Sequence, residues 1–417
     1  MRGLVFERNL PRFAAARVAT SLAGSGRGVG VSPLRLTDLD APELPGPGWA
    51  RVRPLLAGIC GSDLSTIDGR SSRYFEDIVS FPFVPGHEVV GVVEEPAAGG
   101  GPGTGTRVVV EPVLGCVARG IEPPCPACAA GHTGGCERVA FGQLAPGLQI
   151  GFCADTGGGW SAAGLVAHVS QLHPVPDALG DEDAVMVEPT ACGVHAALAA
   201  GVTPGETVAV LGAGTLGLTF LCALRHLTRP GTVLAGAKHP QQRRLAAELG
   251  ADVAVGPDQL TRAVRLRSRS LEASGGLTGG ADVVVDCVGS AQSLAQCLGM
   301  VRPRGRLVLV GMPGSLRVDL APLWHREVRL VGAYAYGTEH TENGARRTFD
   351  IALEVVGRYG LGRLVSAAYP LERFEEALAH AGAAGRRGSV KIVFDLRPRR
   401  RARDGAASER VVEEVAR

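Results

Sequence analysis

GETVAVLGAGTLGLTFLCALRHL, residues 205–227, sets the reading of the whole chain. Thr207 to Leu211 is a short, Val-rich apolar run, as expected of a strand buried on both faces of a parallel sheet. Gly212-Ala213-Gly214-Thr215-Leu216-Gly217 follows as a GxGxxG turn, and an apolar helix is predicted from about Leu218 to Leu227. Thr228 to Gly231 ends that helix, and Thr232 to Ala235 reads as the next strand. A GxGxxG alone is a weak signal, but this strand–turn–helix–strand order makes it a dinucleotide site. Gly212 allows the tight turn, Gly214 lets the backbone approach a pyrophosphate, and Gly217 lets helix and strand pack closely. The open N–H groups at the helix start, Thr215 and Leu216 among them, face the phosphates. The bland alternative is a glycine-rich turn that binds nothing.

Downstream, strands and helices alternate: a helix over 241–249, a strand over 283–286, a helix over 290–301 and a strand over 306–310. Alternation of this kind argues for a doubly wound parallel sheet. Upstream, short strands over 3–6, 34–39, 50–57, 89–94 and 107–110 are separated by Pro/Gly turns and show no helical period, which reads as a small β-barrel. Residues 13–33 are small and Gly/Ser-rich and read as a loop insertion or disordered stretch. After about residue 335 helices are expected over 345–358 and 371–381 and a strand over 389–395, then an Arg/Glu-rich solvated tail from 397.

The chain has 417 residues, room for two domains, and a formal net charge of +2, which points to neither a nucleic-acid nor an acidic-membrane partner. Arg2, Glu7, Arg8 and Arg12 interrupt any signal-like run, and no stretch of membrane-spanning length is free of Gly, Pro or charge. A cytoplasmic location is expected, with the ten cysteines as thiols or metal ligands.

Cys60, His87 and Glu88 lie in two Gly-flanked loops, and Glu188 lies at the hinge into the nucleotide unit. Thiolate, imidazole and carboxylate are zinc ligands, and a catalytic zinc takes three protein ligands plus an open position. Singly, each has a blander reading: a buried cysteine, a hydrogen-bonded loop histidine. Their joint occurrence ahead of a nucleotide fold points to metal.

At Gly58-Ile59-Cys60-Gly61-Ser62-Asp63, Pro85-Gly86-His87-Glu88, the cysteine lobe 112–136, Glu188-Pro189, Gly212 to Gly217 and the ending Tyr369 to Val393, the chain resembles the zinc-dependent alcohol dehydrogenases of the medium-chain dehydrogenase/reductase superfamily. The resemblance spans nearly the whole chain except 13–33 and the tail. It implies an α/β fold: a GroES-like β-barrel catalytic domain over 1–188 and 335–396, and a Rossmann domain over 189–334. Glu188 in place of Cys resembles the polyol, glucose and threonine dehydrogenase branch. The resemblance makes Cys60 and His87 ligands of a catalytic zinc, with Glu88 and Glu188 sharing the remaining position with water. Ser62 matches the hydroxyl that relays the proton, and Asp63 the acid that orients His87. One departure is Ser65, where polyol enzymes often carry a relay histidine.

Cys125, Cys128 and Cys136 match the family's structural-zinc lobe. The usual first cysteine is replaced by Glu122, so Cys116 completes a four-thiolate site only if 117–124 loops out; Glu122 as ligand and a metal-free lobe are the alternatives. The implied activity is reversible oxidation of an alcohol, a polyol, sugar or other secondary alcohol, by a nicotinamide cofactor. A zinc-free quinone or enoyl reductase and a non-catalytic nucleotide-binding protein are the rival readings. The partner is a small-molecule alcohol or carbonyl, and a homo-oligomer is compatible with the sequence.

Cofactor choice turns on the end of the second nucleotide strand. NAD enzymes usually place an acid there, about 20 residues past the glycines. Ala237 occupies that place, followed by Lys238, and no carboxylate lies between Thr232 and Ala247. Lys238, helped by Arg243 or Arg244, suits a 2′-phosphate, which favours NADP over NAD.

Overall fold

A computed structural model of the protein describes residues 1–273, 275–341 and 344–398. Two sheets carry the architecture. The six-stranded sheet is parallel throughout, in the order Val253–Val255, Thr232–Gly236, Thr207–Leu211, Ala281–Asp286, Val301–Leu309, Arg329–Gly332. Its central strand is the expected Thr207–Leu211, whose Val208, Ala209 and Val210 are wholly buried between helices on both faces. The following helix starts at Thr215, three residues earlier than its apolar run indicates, because its first turn lies inside the glycine motif. Reversal of strand order beside Thr207–Leu211 opens the crevice in which this fold class binds ligands.

The second sheet has seven strands, ordered Val365–Tyr369, Lys391–Asp395, Trp49–Gly58, Val89–Glu95, Arg107–Val110, Leu172–Pro174, with Leu165–His168 also paired to Trp49–Gly58. The C-terminal strand Lys391–Asp395 returns to pair antiparallel with Trp49–Gly58, setting Val393 opposite Gly58. Chain ends far apart in sequence thus meet where Cys60 follows. A short hairpin, Thr338–Thr341 with Gly344–Arg347, replaces the start of the helix expected over 345–358, which runs from Thr348 to Tyr359. The tail reading falls largely on residues 399–417, outside the described residues.

Over residues 13–23 a helix overturns the loop expectation, while 24–33 is loop apart from a short turn at Val29–Val31. Helix α1 spans Leu10–Ala23, capped by Asn9, whose side chain accepts from the Arg12 N–H at 3.1 Å. The small residues that look like low complexity are good helix formers, and they let α1 lie close to its neighbours. Its buried face, Ala16 and Thr20, meets the barrel. Asp68, at the end of helix α2 (Gly61–Ile67), locks it there. Its fully buried carboxylate accepts from Thr20 Oγ1 (3.0 Å), the Gly26 N–H (2.9 Å), Ser25 Oγ (2.6 Å) and Arg70 (2.7 Å). Gly26 adopts φ +75°, and a Cβ there would overlap the Leu378 carbonyl, so this glycine serves close packing. Asp68→Ala strands two buried donors and a half-buried one and is expected to cost about 2–4 kcal/mol of unfolding free energy in urea titrations. An unchanged midpoint would show that α1 is not held through Asp68.

Candidate active site and metal centres

Antiparallel pairing of Trp49–Gly58 with Val89–Glu95 places Ala57 opposite Val89, so Cys60 and the His87-Glu88 pair leave the sheet at the same end. Ligand atoms of Cys60, His87 and Glu88 lie within 4.8 Å of one another. Asp63, in the first turn of α2, accepts from the Cys60 N–H with Oδ2 (2.9 Å) and faces His87 Nδ1 with Oδ1 (3.5 Å). Burial opposes a charged imidazole, yet Asp63 and Cys60 together hold the His87 pKa well above its ordinary value. Glu88 forms a buried ion pair with Lys391, whose Nζ also donates to the Ile59 carbonyl at 3.2 Å. Burial disfavours the Lys391 ammonium, but Glu88 and Cys60 raise its pKa.

Glu188, in the first turn of the helix Val187–Ala199, is not part of the close set. Its Oε1 accepts from the Tyr336 hydroxyl at 2.7 Å. Burial raises its pKa to about 7, with Glu88 adding to the rise and His87 opposing it. Ser62 Oγ is buried and has no hydrogen-bond partner, although Ser62 lines the large cavity beside the site. A sulfur, an imidazole nitrogen and a carboxylate oxygen brought together, with an unpaired hydroxyl next to them, fit a zinc ion with room for an oxygen ligand.

Sequence reasoning missed Lys391 and Tyr336 as neighbours of these groups. Lys391 is one of only two lysines and sits in an apolar strand, a signal that was available. Nothing local marks Tyr336 as the partner of Glu188.

Around the cysteine lobe, Sγ atoms of Cys116, Cys125, Cys128 and Cys136 lie within 4.8 Å of one another, and Glu122 is exposed. The segment 117–124 does loop out, and Arg119 explains how. Its fully buried guanidinium donates to the carbonyls of Leu114, Phe141, Leu144, Ala145 and Gly147, tying the loop to the chain beyond Cys136. Burial opposes ionisation of Cys125, but the N–H groups of Cys128 and Glu137 bring its pKa down to about 7.

In the glycine turn, Gly212 has φ +99°, and a Cβ on Gly217 would overlap the Gly212 carbonyl. A Cβ on Gly214 would meet nothing, which leaves open space above the turn where a pyrophosphate fits. The N–H groups of Thr215 and Leu216 open the helix there. Lys238 is exposed just past the strand Thr232–Gly236. Arg243 donates to the carbonyls of Ala237 (3.0 Å) and Lys238 (3.2 Å), bracing the turn. Burial lowers the pKa of His239, and the charges of Lys238, Arg386 and Arg243 lower it further. Arg386 arrives from the other domain and was not identified from sequence.

Two family models match: the alcohol dehydrogenase GroES-like domain over residues 46–177 and the zinc-binding dehydrogenase domain over residues 215–350. The chain is 30% identical to L-idonate 5-dehydrogenase of Vitis vinifera over 88% of its length and 93% of the relative's. It is 29% identical to sorbitol dehydrogenase of Arabidopsis thaliana, covering 88% of this chain and 94% of the relative. Among solved structures, a zinc-binding dehydrogenase from Sinorhizobium meliloti 1021 bound to NADP superposes with a TM-score of 0.68 at 25% identity, over 89% of this chain and 98% of that one. The chain therefore belongs to the zinc-dependent alcohol dehydrogenases of the medium-chain dehydrogenase/reductase superfamily. It is an oxidoreductase that moves hydride between an alcohol and a nicotinamide cofactor. These relatives give no support to a zinc-free reductase or a non-catalytic protein. No helix among the described residues is long and apolar enough to cross a membrane.

Metal analysis separates the two ligand sets open for the lobe. Cys116→Ser is expected to carry one zinc fewer per chain than the wild type and to melt at a lower temperature, because a structural zinc is coupled to folding. Glu122→Gln is expected to keep both the zinc and the melting temperature; the reverse pattern would make Glu122 the ligand.

Proposed function

We propose that Cys60 and His87 hold the catalytic zinc, that Glu88 and Glu188 share its remaining protein position, and that Cys116, Cys125, Cys128 and Cys136 hold a structural zinc. The carrying observation is the close set Cys60, His87 and Glu88 beside a cavity lined by Ser62, whose buried hydroxyl has no partner among the described residues. Zinc supplies a Lewis acid, strong enough to lower a bound water's pKa from 15.7 to roughly 7. Asp63 fixes the ring orientation of His87 from behind. Lys391 neutralises Glu88, and Tyr336 holds Glu188 by its hydroxyl, so neither carboxylate is left as an isolated buried charge. Ser62 Oγ accepts the proton of the substrate hydroxyl and passes it outward. The nicotinamide reaches this point from the glycine turn, held by Gly212, Gly214, Thr215, Leu216 and Gly217.

Lys238 and Arg243, with Arg386 opposite, make the adenosine end of the cofactor site cationic, and Ala237 offers no carboxylate to a ribose. The enzyme prefers NADP on this reading; the NADP-bound Sinorhizobium meliloti relative is in keeping with it. The ratio of kcat/KM for NADP over NAD is expected to exceed one and to fall about tenfold in Lys238→Ala, the size of one lost charge-assisted contact. A preference for NAD, or a ratio unmoved by Lys238→Ala, would remove Lys238 as the phosphate contact. Ser62→Ala is expected to retain its zinc and lose about a hundredfold or more in kcat, the usual scale of a lost proton relay. Full activity in that variant would end the relay assignment.

A further inference from the structure

The cavity that contains Ser62 encloses about 460 Å³ between the barrel, α1 and the nucleotide domain, which contributes Met312 and Tyr334. That volume lies in the range of roughly 300–1,000 Å³ typical of pockets for sizeable small molecules. Its walls carry six phenylalanines, Phe6, Phe13, Phe75, Phe81, Phe83 and Phe152. Phe6, Phe81 and Phe152 each pack on Phe83 with ring centroids 5.2–5.4 Å apart. Phe152 in turn lies 5.9 Å from the His87 ring, so the aromatic wall runs up to the metal donors.

Three of the five charged groups on these walls bind one another, and the other two, Glu7 and Arg17, are exposed. Arg8 and Arg73 both bind Glu76, at 3.1 and 3.2 Å. Asn9 is committed to capping α1. Gln149, on the same walls as Ser62, is a buried amide whose side chain has no hydrogen-bond partner among the described residues. Much of one wall belongs to α1, through Leu10, Phe13 and Ala14, and α1 is fixed by Asp68 well away from the reacting centre.

We infer that the substrate is a secondary alcohol with a bulky hydrocarbon body, ring-bearing or branched, and not a polyol, although relatives of this chain are named for idonate and sorbitol. The inference rests on the dehydrogenase reading above and sharpens it. A polyol entering past the aromatic wall loses water from every hydroxyl and meets mostly rings there; a hydrocarbon body loses no hydrogen bonds and gains contact with the rings. The carbinol carbon gives its hydride, with both electrons, to the oxidised nicotinamide. The hydroxyl proton leaves by way of Ser62 to solvent, and the products are the ketone, the reduced nicotinamide and one proton.

The test uses the zinc-loaded full chain with borneol and sorbitol as alcohols, each with NADP and NAD, and calorimetric titration of camphor into metal-free and zinc-loaded protein. Borneol is expected to exceed sorbitol in kcat/KM by at least about a hundredfold, and camphor to bind with or without zinc. Phe13→Asn is expected to raise the KM for borneol about tenfold and weaken camphor to match, with zinc content and NADP binding unchanged. Leu10→Asn, at a position 64% exposed and so safe for folding, is expected to shift both in the same direction. Sorbitol oxidised as efficiently as borneol, or camphor failing to bind, would overturn the inference and leave the dehydrogenase reading standing. Camphor binding without oxidation of any alcohol would instead overturn the dehydrogenase reading and keep the apolar pocket.

Discussion

The structure depends on balancing negative charge in one dry place. Cys60, Asp63, Glu88 and Glu188 converge on His87, three of them carboxylates that are almost wholly buried, and among the described residues Lys391 is the fixed cation beside them. A buried carboxylate without a partner costs several kcal/mol, so this grouping is sustainable only if something else carries positive charge. Raised pKa values at His87 and Glu188 express that shortage. A divalent cation on Cys60 and His87, as proposed above, would relieve it, and the site's negative excess would favour its binding.

The fold supplies the counter-charges from three directions. The strand pair Trp49–Gly58 and Val89–Glu95 delivers the donors, the returning strand Lys391–Asp395 delivers the lysine, and Tyr336 reaches Glu188 from the segment that leaves the nucleotide sheet. The barrel's closure by its C-terminal strand is therefore part of the site's electrostatics as well as its packing. α1 adds something independent: a wall for the cavity that Ser62 lines, locked to the end of α2 by the buried Asp68.

Features written in local patterns were legible in the sequence. Val208 to Leu211, the glycine turn and the short motifs around Cys60, His87 and the four lobe cysteines announce themselves locally, because strand burial, tight turns and metal chemistry demand particular residue types. Features made by distant contacts were not. Nothing near Glu88 names Lys391, nothing near Glu188 names Tyr336, and Arg386 joins Lys238 only once the two domains meet. The loop reading failed over 13–23 for another reason. Alanine, serine and glycine signal both flexible chain and closely packed helix, and the deciding partner, Asp68, lies outside the stretch. The loop-out before Cys125 was foreseen as a geometric need, but its cause, a buried arginine holding five carbonyls, was not.

Zinc-edge X-ray absorption on metal-replete wild-type protein tests the central claim most directly, since it reads the atoms around the metal and not the activity. Charge balance at Cys60, His87 and Glu88 predicts a mixed shell, with nitrogen and oxygen scatterers beside the sulfur of the four-cysteine set. A pure sulfur shell would place all the zinc in the lobe and contradict the account.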